Sequence, residues 1–409
     1  MKRKIVVVGA GMASGRLLEE LFKLAPRAYD VTLFGAEPRG NYNRIMLSQV
    51  LAGEATPEAI VTHDPAWYAA HGVACRFGET VTKINRAAKT VHSRTGETPY
   101  DRLVIATGSA PFVIPVAGKE LQGVLSFRDL DDVDAMLAVA DKPGANAVVL
   151  GGGLLGLEAA AGLKARGMSV SVLHLMGHLM ERQLDPAAGL LLQKELESRG
   201  IKVHCRAQTT AILGHKRAEA VLLDDGMIYP ADLVVMATGI RPETRVAVDT
   251  GLQVERGIVV DDQMRTSDRD ILAVGECVEH GGICYGLVEP IYDMAAVAAK
   301  TLVGQPAAFR PSELSTHLKV TGVRVFSAGD FIGGQGTETI TFSDAGLKSY
   351  KKLVIADGRL IGAVLFGDTA DGPWYLDLIR TGASVEKIRD DIIFGRALVE
   401  QSATKKLAA

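Results

Sequence analysis

Apolar residues form short runs that are each followed by glycines, and this pattern occurs twice along the chain. Residues 5–8 and 31–34 indicate buried strands on either side of a glycine-rich turn and a helix, and residues 147–150 and 170–173 repeat that order. Each copy later closes with Ala-Thr-Gly after a further strand. The pattern predicts an α/β protein with two Rossmann-like nucleotide-binding domains, each built on a doubly wound parallel sheet.

The rest of the chain predicts a return to the first unit and then a small third domain. Residues 257–260 and 271–274 indicate strands, and residues 290–302 an alanine-rich helix. The later elements are expected to be strands at 318–320, 323–327, 351–355 and 360–366 and helices at 375–380 and 385–391. We therefore expect domains at 1–114 with 243–308, at 115–242, and an α+β C-terminal interface domain at 309–400. Residues 401–409 are expected to be a tail, in part vector-derived.

Composition limits the classes of partner. The 409 residues include 47% hydrophobic positions and carry 45 basic and 48 acidic side chains, a formal charge of -3. This balance provides no long-range attraction to nucleic acid or to anionic lipid. The longest apolar stretch, residues 147–163, is interrupted by glycines and by Glu158, which argues against a membrane span. We expect a cytoplasmic protein that has neither nucleic acid nor a membrane as its partner.

The four cysteines show no spacing that is typical of a redox or metal site. Cys75, Cys205, Cys277 and Cys284 form neither a C-x-x-C motif nor a close pair. We expect reduced thiols, mostly buried, and no metal ion. A redox role for Cys277 is left open, because the motifs below place it next to a cofactor.

The first glycine turn has the spacing of a dinucleotide site. Gly9 permits a tight turn and Gly11 lets the backbone approach a pyrophosphate at a helix N-terminus. Ser14 stands where a third glycine is usual and is small enough for close packing of helix against strand. Glu37 follows the next strand, where a carboxylate would meet the ribose hydroxyls. Taken alone, the motif also fits a glycine turn in an unrelated α/β fold.

The second glycine turn is complete. Gly151, Gly153 and Gly156 follow a strand and open a helix, as the dinucleotide fingerprint requires. The next strand ends at His174, where an NAD site often carries an acid, so the choice between NADH and NADPH stays open. The absence of an arginine cluster there favours NADH. We assign His174 no catalytic role.

The order of the motifs resembles the pyridine nucleotide-disulfide oxidoreductase superfamily. Besides the two turns, the motifs that carry this resemblance are Ala106-Thr107-Gly108 with Pro111, Pro115 and Gly118, Ala237-Thr238-Gly239 with Arg241-Pro242, and Thr266-Ser267 before residues 271–276. The resemblance implies FAD in the first domain and NADH or NADPH in the second, with Thr107, Gly108 and Gly239 at the cofactors. It also implies that Glu276, in place of an aspartate, contacts the ribityl chain. The helix that begins near Val288 would direct its N-terminus at the flavin.

Residues 41–48 are similar to a motif of rubredoxin and ferredoxin reductases, in which the arginine lies against the FAD pyrophosphate. By this resemblance Arg44 has that role, Val81 contacts the adenine through its backbone, and Arg128 reaches the FAD phosphates. A solvated surface charge is the alternative for Arg128. Those reductases pair a lysine with the glutamate of the second turn, but this chain has Gln49 opposite Glu158, so that ion pair cannot form.

A more extensive resemblance is to the N-terminal flavoprotein part of the large subunit of assimilatory NAD(P)H nitrite reductases. It is carried by residues 41–48, 175–185, 275–280, 318–323 and 326–330. In that subunit an iron-sulfur segment and a sirohaem domain follow, and neither occurs in these 409 residues. We therefore expect the chain not to reduce nitrite by itself.

The resemblance implies a flavoenzyme that passes electrons from NAD(P)H through FAD to a separate protein. Hydride transfer depends on stacking of the two rings, and Glu158 is the candidate for orienting them, with helix packing as the alternative. Trp374 and Tyr375 are expected near the exposed ring. The expected acceptor is a nitrate or nitrite reductase, with an iron-sulfur protein such as rubredoxin or ferredoxin, or haemoglobin, as the alternative. An NADH oxidase or peroxidase, disfavoured because Ser48 is not a thiol, and a redox sensor resembling apoptosis-inducing factor are further alternatives. The oligomeric state is not predicted.

Overall fold

The computed structural model describes residues 2–311, 315–320 and 322–408. Within them, the strands in chain order are β1 (Arg3–Val8), β2 (Tyr29–Gly35), β3 (Val73–Phe77), β4 (Lys83–Asn85), β5 (Thr90–Ser93), β6 (Gly96–Pro99), β7 (Arg102–Ile105), β8 (Ser109–Pro111), β9 (Val124–Ser126), β10 (Asn146–Leu150), β11 (Ser169–His174), β12 (Lys202–Cys205), β13 (Thr209–Gly214), β14 (Ala218–Leu223), β15 (Ile228–Pro230), β16 (Leu233–Met236), β17 (Ile240–Pro242), β18 (Ile258–Val260), β19 (Ile271–Ala273), β20 (Val278–His280), β21 (Ile283–Cys284), β22 (Ser315–Val320), β23 (Val323–Gly329), β24 (Glu338–Asp344), β25 (Ser349–Ala356) and β26 (Arg359–Phe366).

The helices are α1 (Met12–Leu24), α2 (Leu47–Ala52), α3 (Pro65–Ala70), α4 (Leu130–Ala140), α5 (Leu154–Ala165), α6 (Pro186–Ser198), α7 (Arg245–Asp249), α8 (Val288–Val303), α9 (Gly372–Thr381) and α10 (Arg396–Ala408). Short 3-10 turns occur at Arg44–Met46, Glu58–Ile60, Glu386–Ile388 and Ile392–Phe394. No helix in the described part of the chain is long and apolar enough to cross a membrane.

Two parallel sheets have the same plan, which confirms the predicted fold class. The first has the order β19-β7-β1-β2-β3 and the second β12-β11-β10-β16-β9. In each, the strand before the glycine turn lies between two parallel neighbours, β1 between β2 and β7, and β10 between β11 and β16. These central strands are buried and read as continuous apolar runs, as strands covered on both faces require.

The two crossings between the parallel sheets pair with each other. Strand β8 leaves the first unit and β17 returns to it, and the two form an antiparallel ribbon in which Ile240 lies opposite Pro111. Three small sheets accompany them, in the orders β4-β5-β6, β13-β14-β15 and β18-β20-β21, and of their strands the sequence pattern predicted only β18, as residues 257–260. Strands such as β4, β6 and β15 are short and largely exposed, so their apolar alternation is weak.

The C-terminal region forms an antiparallel sheet with the order β22-β23-β26-β25-β24, against which α9 packs. The predicted strands there are present, but the predicted helix at 385–391 is wrong, because only the 3-10 turn Glu386–Ile388 forms in it. Helix α10 continues into the predicted tail as far as Ala408. Thr321, part of the motif at 318–323, and Ala409 lie outside the described residues.

One hydrophobic core joins three parts of the chain. It contains Leu47 and Leu51 of α2, the inner side chains of the second sheet and its helices, and Val325 and Phe366 of the C-terminal sheet. At its edge the hydroxyl of Tyr350 donates to Asp185 Oδ2 at 2.6 Å. The same carboxylate accepts the amide of the first turn of α6 through Oδ1, so it caps that helix and anchors the C-terminal sheet together.

Candidate active site

A cavity of about 1320 Å³ lies between the two parallel sheets and reaches the C-terminal sheet at Thr316 and Gly322. The start of α5, behind the second glycine turn, reaches it through Leu154 and Leu155. The structure brings together on its wall most of the residues predicted for the site, namely Gly9, Gly11, Glu37, Arg44, Gln49, Thr107, Gly108, Arg128, Glu158, Glu276 and Val288.

The first glycine turn presents backbone N–H groups to this cavity. Gly9 has φ +112, and a Cβ there would lie 2.1 Å from the carbonyl oxygen of Ala106, so only glycine fits. Gly11 is the N-cap of α1 and receives no side-chain cap, and nothing lies within 4 Å of the place where its Cβ would be. The helix N-terminus is therefore open to an anion such as a pyrophosphate.

Arg44 and Glu37 form a pair on the wall of the cavity. The Arg44 guanidinium is bound to the Glu37 carboxylate, and it also donates to the backbone carbonyl of Arg128 at 2.8 Å. Tyr42 donates to the second oxygen of Glu37 at 2.7 Å, and the guanidinium lies 4.9 Å from the Tyr42 ring centroid. Burial is the main cause that raises the pKa of Tyr42, so its hydroxyl remains a donor. Three contacts thus fix the guanidinium at the cavity.

Arg128 and Glu276 form a second pair at the same wall. The Arg128 guanidinium binds Glu276, whose side chain is 16% exposed, and Ser109 donates to the same carboxylate oxygen at 2.7 Å. The alternative interpretation of Arg128 as a solvated surface charge is therefore wrong. Thr107 donates its hydroxyl to the carbonyl of Glu243 at 2.6 Å, which ties the end of β7 to the return crossing.

Glu158 has no cationic partner among the described residues. Burial raises its pKa to about 7, and a hydrogen bond from Ser48 partly opposes this effect. Gln49 lines the same cavity, at the position where the related reductases carry a lysine. A carboxyl group that titrates near neutral pH in a cleft is typical of functional sites.

Six of the residues predicted as cofactor contacts do not line this cavity, namely Ser14, Val81, Gly151, Gly153, Gly156 and Gly239. Ser14 is buried and donates to the carbonyl of Gly11 at 2.8 Å, and Val81 lies in the core of the first domain. The expectation for Trp374 and Tyr375 is wrong, because both pack in the core of the C-terminal sheet and the Tyr375 hydroxyl donates to Ile392 O at 2.7 Å. The aromatic pair belongs to the core because α9 turns its apolar face to the sheet.

The second glycine turn has the geometry of the first. Gly151 has φ +117, and a Cβ there would lie 2.2 Å from the carbonyl oxygen of Ala237. A Cβ at Gly156 would lie 2.2 Å from the carbonyl oxygen of Gly151, while the N-cap Gly153 is open. Gly239 has φ +115 and accepts the amide of Phe112 at the ribbon between the sheets. The two turns therefore have equivalent backbone geometry in two folds of the same plan.

The sequence did not single out Ser109, Glu243 or Ser48 as site residues, although all three line the cavity. Ser109 directly follows the Ala-Thr-Gly motif, and Ser48 ends the motif at 41–48, so both could have been found as polar neighbours. Cys277 is fully buried, and its thiol donates to the carbonyl of Val274 at 3.3 Å. Burial raises the pKa of Cys277, which makes it a poor nucleophile.

The donor set fits FAD. A dinucleotide needs N–H groups of a glycine turn, a carboxylate for ribose hydroxyls and cations for a pyrophosphate. All three kinds of group line this cavity, and they follow one another along the chain. In the described ranges, no group of three or more His, Cys, Asp or Glu side chains is arranged to hold a metal ion.

Residues 3–301 match the family model of the pyridine nucleotide-disulphide oxidoreductases, and residues 315–383 match that of the rubredoxin NAD+ reductase C-terminal domain. The chain belongs to the pyridine nucleotide-disulphide oxidoreductase family. Members of this family are FAD- and NAD(P)H-dependent oxidoreductases, so the expected cofactors and enzyme class are confirmed.

Two relatives in Bacillus subtilis (strain 168) resemble the chain across nearly its full length. A nitrite reductase [NAD(P)H] is 47% identical over 94% of this chain and 48% of its own, and an assimilatory nitrate reductase electron transfer subunit is 40% identical over 99% and 52%. The chain spans about half the length of these relatives. The matching chain in the solved structure of the covalent putidaredoxin reductase-putidaredoxin complex is 25% identical in sequence to this chain. The two superpose with a TM-score of 0.85, and the match covers 94% of this chain and 95% of that one.

Proposed function

We propose that this chain oxidises NADH or NADPH, holds FAD, and passes the electrons to a separate acceptor protein of nitrate or nitrite assimilation. The observation that carries the proposal is the shared cavity. The glycine turn before α1 lines it directly, and α5, which follows the second glycine turn, lines it through Leu154, Leu155 and Glu158, although the second turn itself does not. Direct transfer of hydride requires donor and acceptor atoms within about 3.5 Å, which a shared cavity permits.

In this proposal the domain at 1–114 and 243–308 holds FAD, and the domain at 115–242 holds NAD(P)H. The N-terminus of α1 at Gly11 would bind the FAD pyrophosphate through backbone N–H groups, Gly9 would make the tight turn before it, and Arg44 and Arg128 would neutralise the charge. Glu37 would accept the ribose hydroxyls and Glu276 the ribityl hydroxyls. The other residues predicted from the sequence to contact the cofactors keep the roles proposed for them there. They are Ser14, Gln49, Val81, Thr107, Gly108, Val288, Gly151, Gly153, Gly156 and Gly239.

FAD, when bound there, supplies a two-electron acceptor for hydride and a donor for the next protein. The chain itself positions the two cofactors and forms the cavity wall around them. Glu158 and Ser48 form a hydrogen-bonded pair on that wall, and we assign Glu158 the orientation of the reacting rings. Because Ser48 is not a thiol, we route the electrons to an external protein and not through a disulfide at α2.

The names of the two Bacillus relatives support an acceptor in nitrate or nitrite assimilation. A second candidate is an iron-sulfur protein such as a rubredoxin or ferredoxin. It is favoured by the match of residues 315–383 to the rubredoxin reductase C-terminal model and by the likeness to the putidaredoxin reductase complex. The two candidates share the flavin chemistry and differ only in the acceptor.

The proposal is tested first by the flavin. The purified protein should show flavin absorbance that NADH or NADPH bleaches under anaerobic conditions. In G11A the added methyl group meets no protein atom within 4 Å but would meet the bound pyrophosphate, so the variant should fold and lose FAD. The matched control is G334A, which also adds a methyl group in open space but far along the chain in the C-terminal region.

The second test adds candidate acceptors to the reduced protein and follows reoxidation of the flavin by stopped flow. Fast reoxidation by a nitrate or nitrite reductase component, and slow reoxidation by air, is the expected result. Reoxidation by a rubredoxin or ferredoxin alone would select the second candidate. A colourless protein that does not take up FAD on reconstitution would overturn the proposal altogether.

A further inference from the structure

The strand after the second glycine turn ends in an unusual residue. In this type of fold a carboxylate at the end of that strand commonly accepts the ribose hydroxyls of the nicotinamide coenzyme. In this chain β11 ends at His174, which is buried, with 6% of its surface exposed. The expected carboxylate is thus missing from the strand itself, and an imidazole stands in its position.

The hydrogen bonds of His174 connect it to a carboxylate seven residues further on. Its Nδ1 accepts the backbone N–H of Gly152 at 3.0 Å, and its Nε2 lies 3.1 Å from Glu181 Oε2. Because a backbone N–H can only donate, Nδ1 carries no proton, so the proton is on Nε2 and is donated to Glu181. The imidazole therefore holds the Glu181 carboxylate beside the glycine turn.

The segment that carries Glu181 is fixed on the same glycine. The carbonyl of Gly152 accepts the amide of Met180 at 3.0 Å, so both backbone groups of Gly152 are used. Met180 is fully buried and has φ +52, a left-handed conformation that costs about 1 kcal/mol or more outside glycine. A Cβ on Gly152 would lie 2.6 Å from Leu179 and 2.7 Å from His174. This left-handed conformation at Met180 places residue 181 next to the turn.

We propose that Glu181, held by His174, is the carboxylate that accepts the ribose hydroxyls of the nicotinamide coenzyme, and that it selects NADH against NADPH. This inference rests on the proposed function, because it assigns the coenzyme of the same reaction. His174 acts as a positioning residue. The Glu181 side chain is 28% exposed, and a carboxylate has about four acceptor positions, of which the imidazole uses one.

The charges around the site support this selection. The 2′-phosphate of NADPH would bring nearly two further negative charges to the hydroxyl position and would be repelled by Glu181. Arg182 follows Glu181 directly, and Arg206 lies beside the same loop, where its amide donates to the carbonyl of Met176; both side chains are exposed. In the described structure neither of them forms an ion pair with Glu181, whose partner is His174. The negative charge of the Glu181 carboxylate is therefore not neutralised by a direct ion pair with either arginine in the described structure.

The test compares the affinities for NAD+ and NADP+ by isothermal titration of the flavin-loaded protein, with steady-state KM and kcat for NADH and NADPH alongside. E181Q keeps the size of the side chain and removes its charge. It should weaken NAD+ about tenfold, because a hydrogen bond to a charged group is lost, and should strengthen NADP+. H174N can still accept the Gly152 amide but cannot reach Glu181, so KM for NADH should rise while kcat stays unchanged.

The matched control is E197Q, an exposed glutamate on α6 that bonds only Gln193 in the described structure and should change neither affinity. Circular dichroism at matched temperature checks that each variant is folded. If E181Q leaves the ratio of the NAD+ and NADP+ affinities equal to that of E197Q, the inference is overturned while the proposed function stands. If neither NADH nor NADPH reduces the flavin of the unaltered protein, the proposed function itself fails.

Discussion

The environment of Glu158 makes the stability of the protein depend on pH in a defined direction. Burial raises the pKa of this carboxyl from 4.5 to about 7. The difference of about 2.5 corresponds to about 3 kcal/mol as an upper limit, at about 1.4 kcal/mol for each pKa unit. Because the folded-state pKa is the higher one, this contribution is fully present below pH 4.5 and is lost as pH rises through about 7.

E158Q isolates this effect, because glutamine keeps the shape of the protonated acid and cannot ionise. Near pH 5 the free energies of unfolding of the two proteins should differ by only about 1 kcal/mol or less. Above pH 8 the variant should be more stable than the unaltered protein by up to about 3 kcal/mol. Urea unfolding of the flavin-loaded protein between pH 5 and pH 8.5, followed by circular dichroism, measures the difference directly.

The control is E54Q, which makes the same substitution at an exposed glutamate that lines the same cavity and should not reproduce the stabilisation above pH 8. A difference between E158Q and the unaltered protein that stays constant across the whole pH range would refute the reasoning. It would mean that Glu158 is ionised throughout and that water reaches it freely.

Three further predictions concern other contacts described above. S48A removes the hydrogen bond that favours the charged form of Glu158, so the pH midpoint of the stability difference should move upward, whereas S48T should retain it. G9A introduces a clash with the neighbouring strand and should yield protein that is folded poorly and colourless by absorbance, which a yellow, stable variant would contradict. Y350F removes the hydrogen bond to Asp185 Oδ2, which leaves that oxygen only Lys352 Nζ at 3.9 Å, and should cost about 1 to 3 kcal/mol in urea unfolding; an unchanged midpoint would show that Lys352 or water replaces the hydroxyl.

The glycine turns were predictable from sequence because their requirement is local. Gly9 and Gly151 each need a positive φ and approach a neighbouring carbonyl too closely for any side chain. The flanking strands are continuous apolar runs, so their positions and parallel pairing followed from the pattern. The fold class and a large part of the cavity wall could therefore be predicted from the sequence, although Ser48, Ser109 and Glu243 were not.

The pairing of side chains across domains was not predictable in the same way. Ser48 meets Glu158 only because α2 packs on α5, and no pattern within either helix encodes that register. The helix expected at 385–391 failed for a related reason. Val385 is buried in the C-terminal core and its amide bonds to Gly358, so tertiary contacts override local helix propensity there.

The hydrophobic core that unites α2, the second sheet and the C-terminal sheet limits how the protein could be rebuilt. A chimera that exchanges the C-terminal sheet for that of a distant relative would bring a foreign partner to Asp185 and a foreign surface to α6. Such an exchange would need to transfer the C-terminal sheet together with Asp185 and α6. The C-terminal sheet therefore cannot diverge freely from the second parallel sheet and its helices.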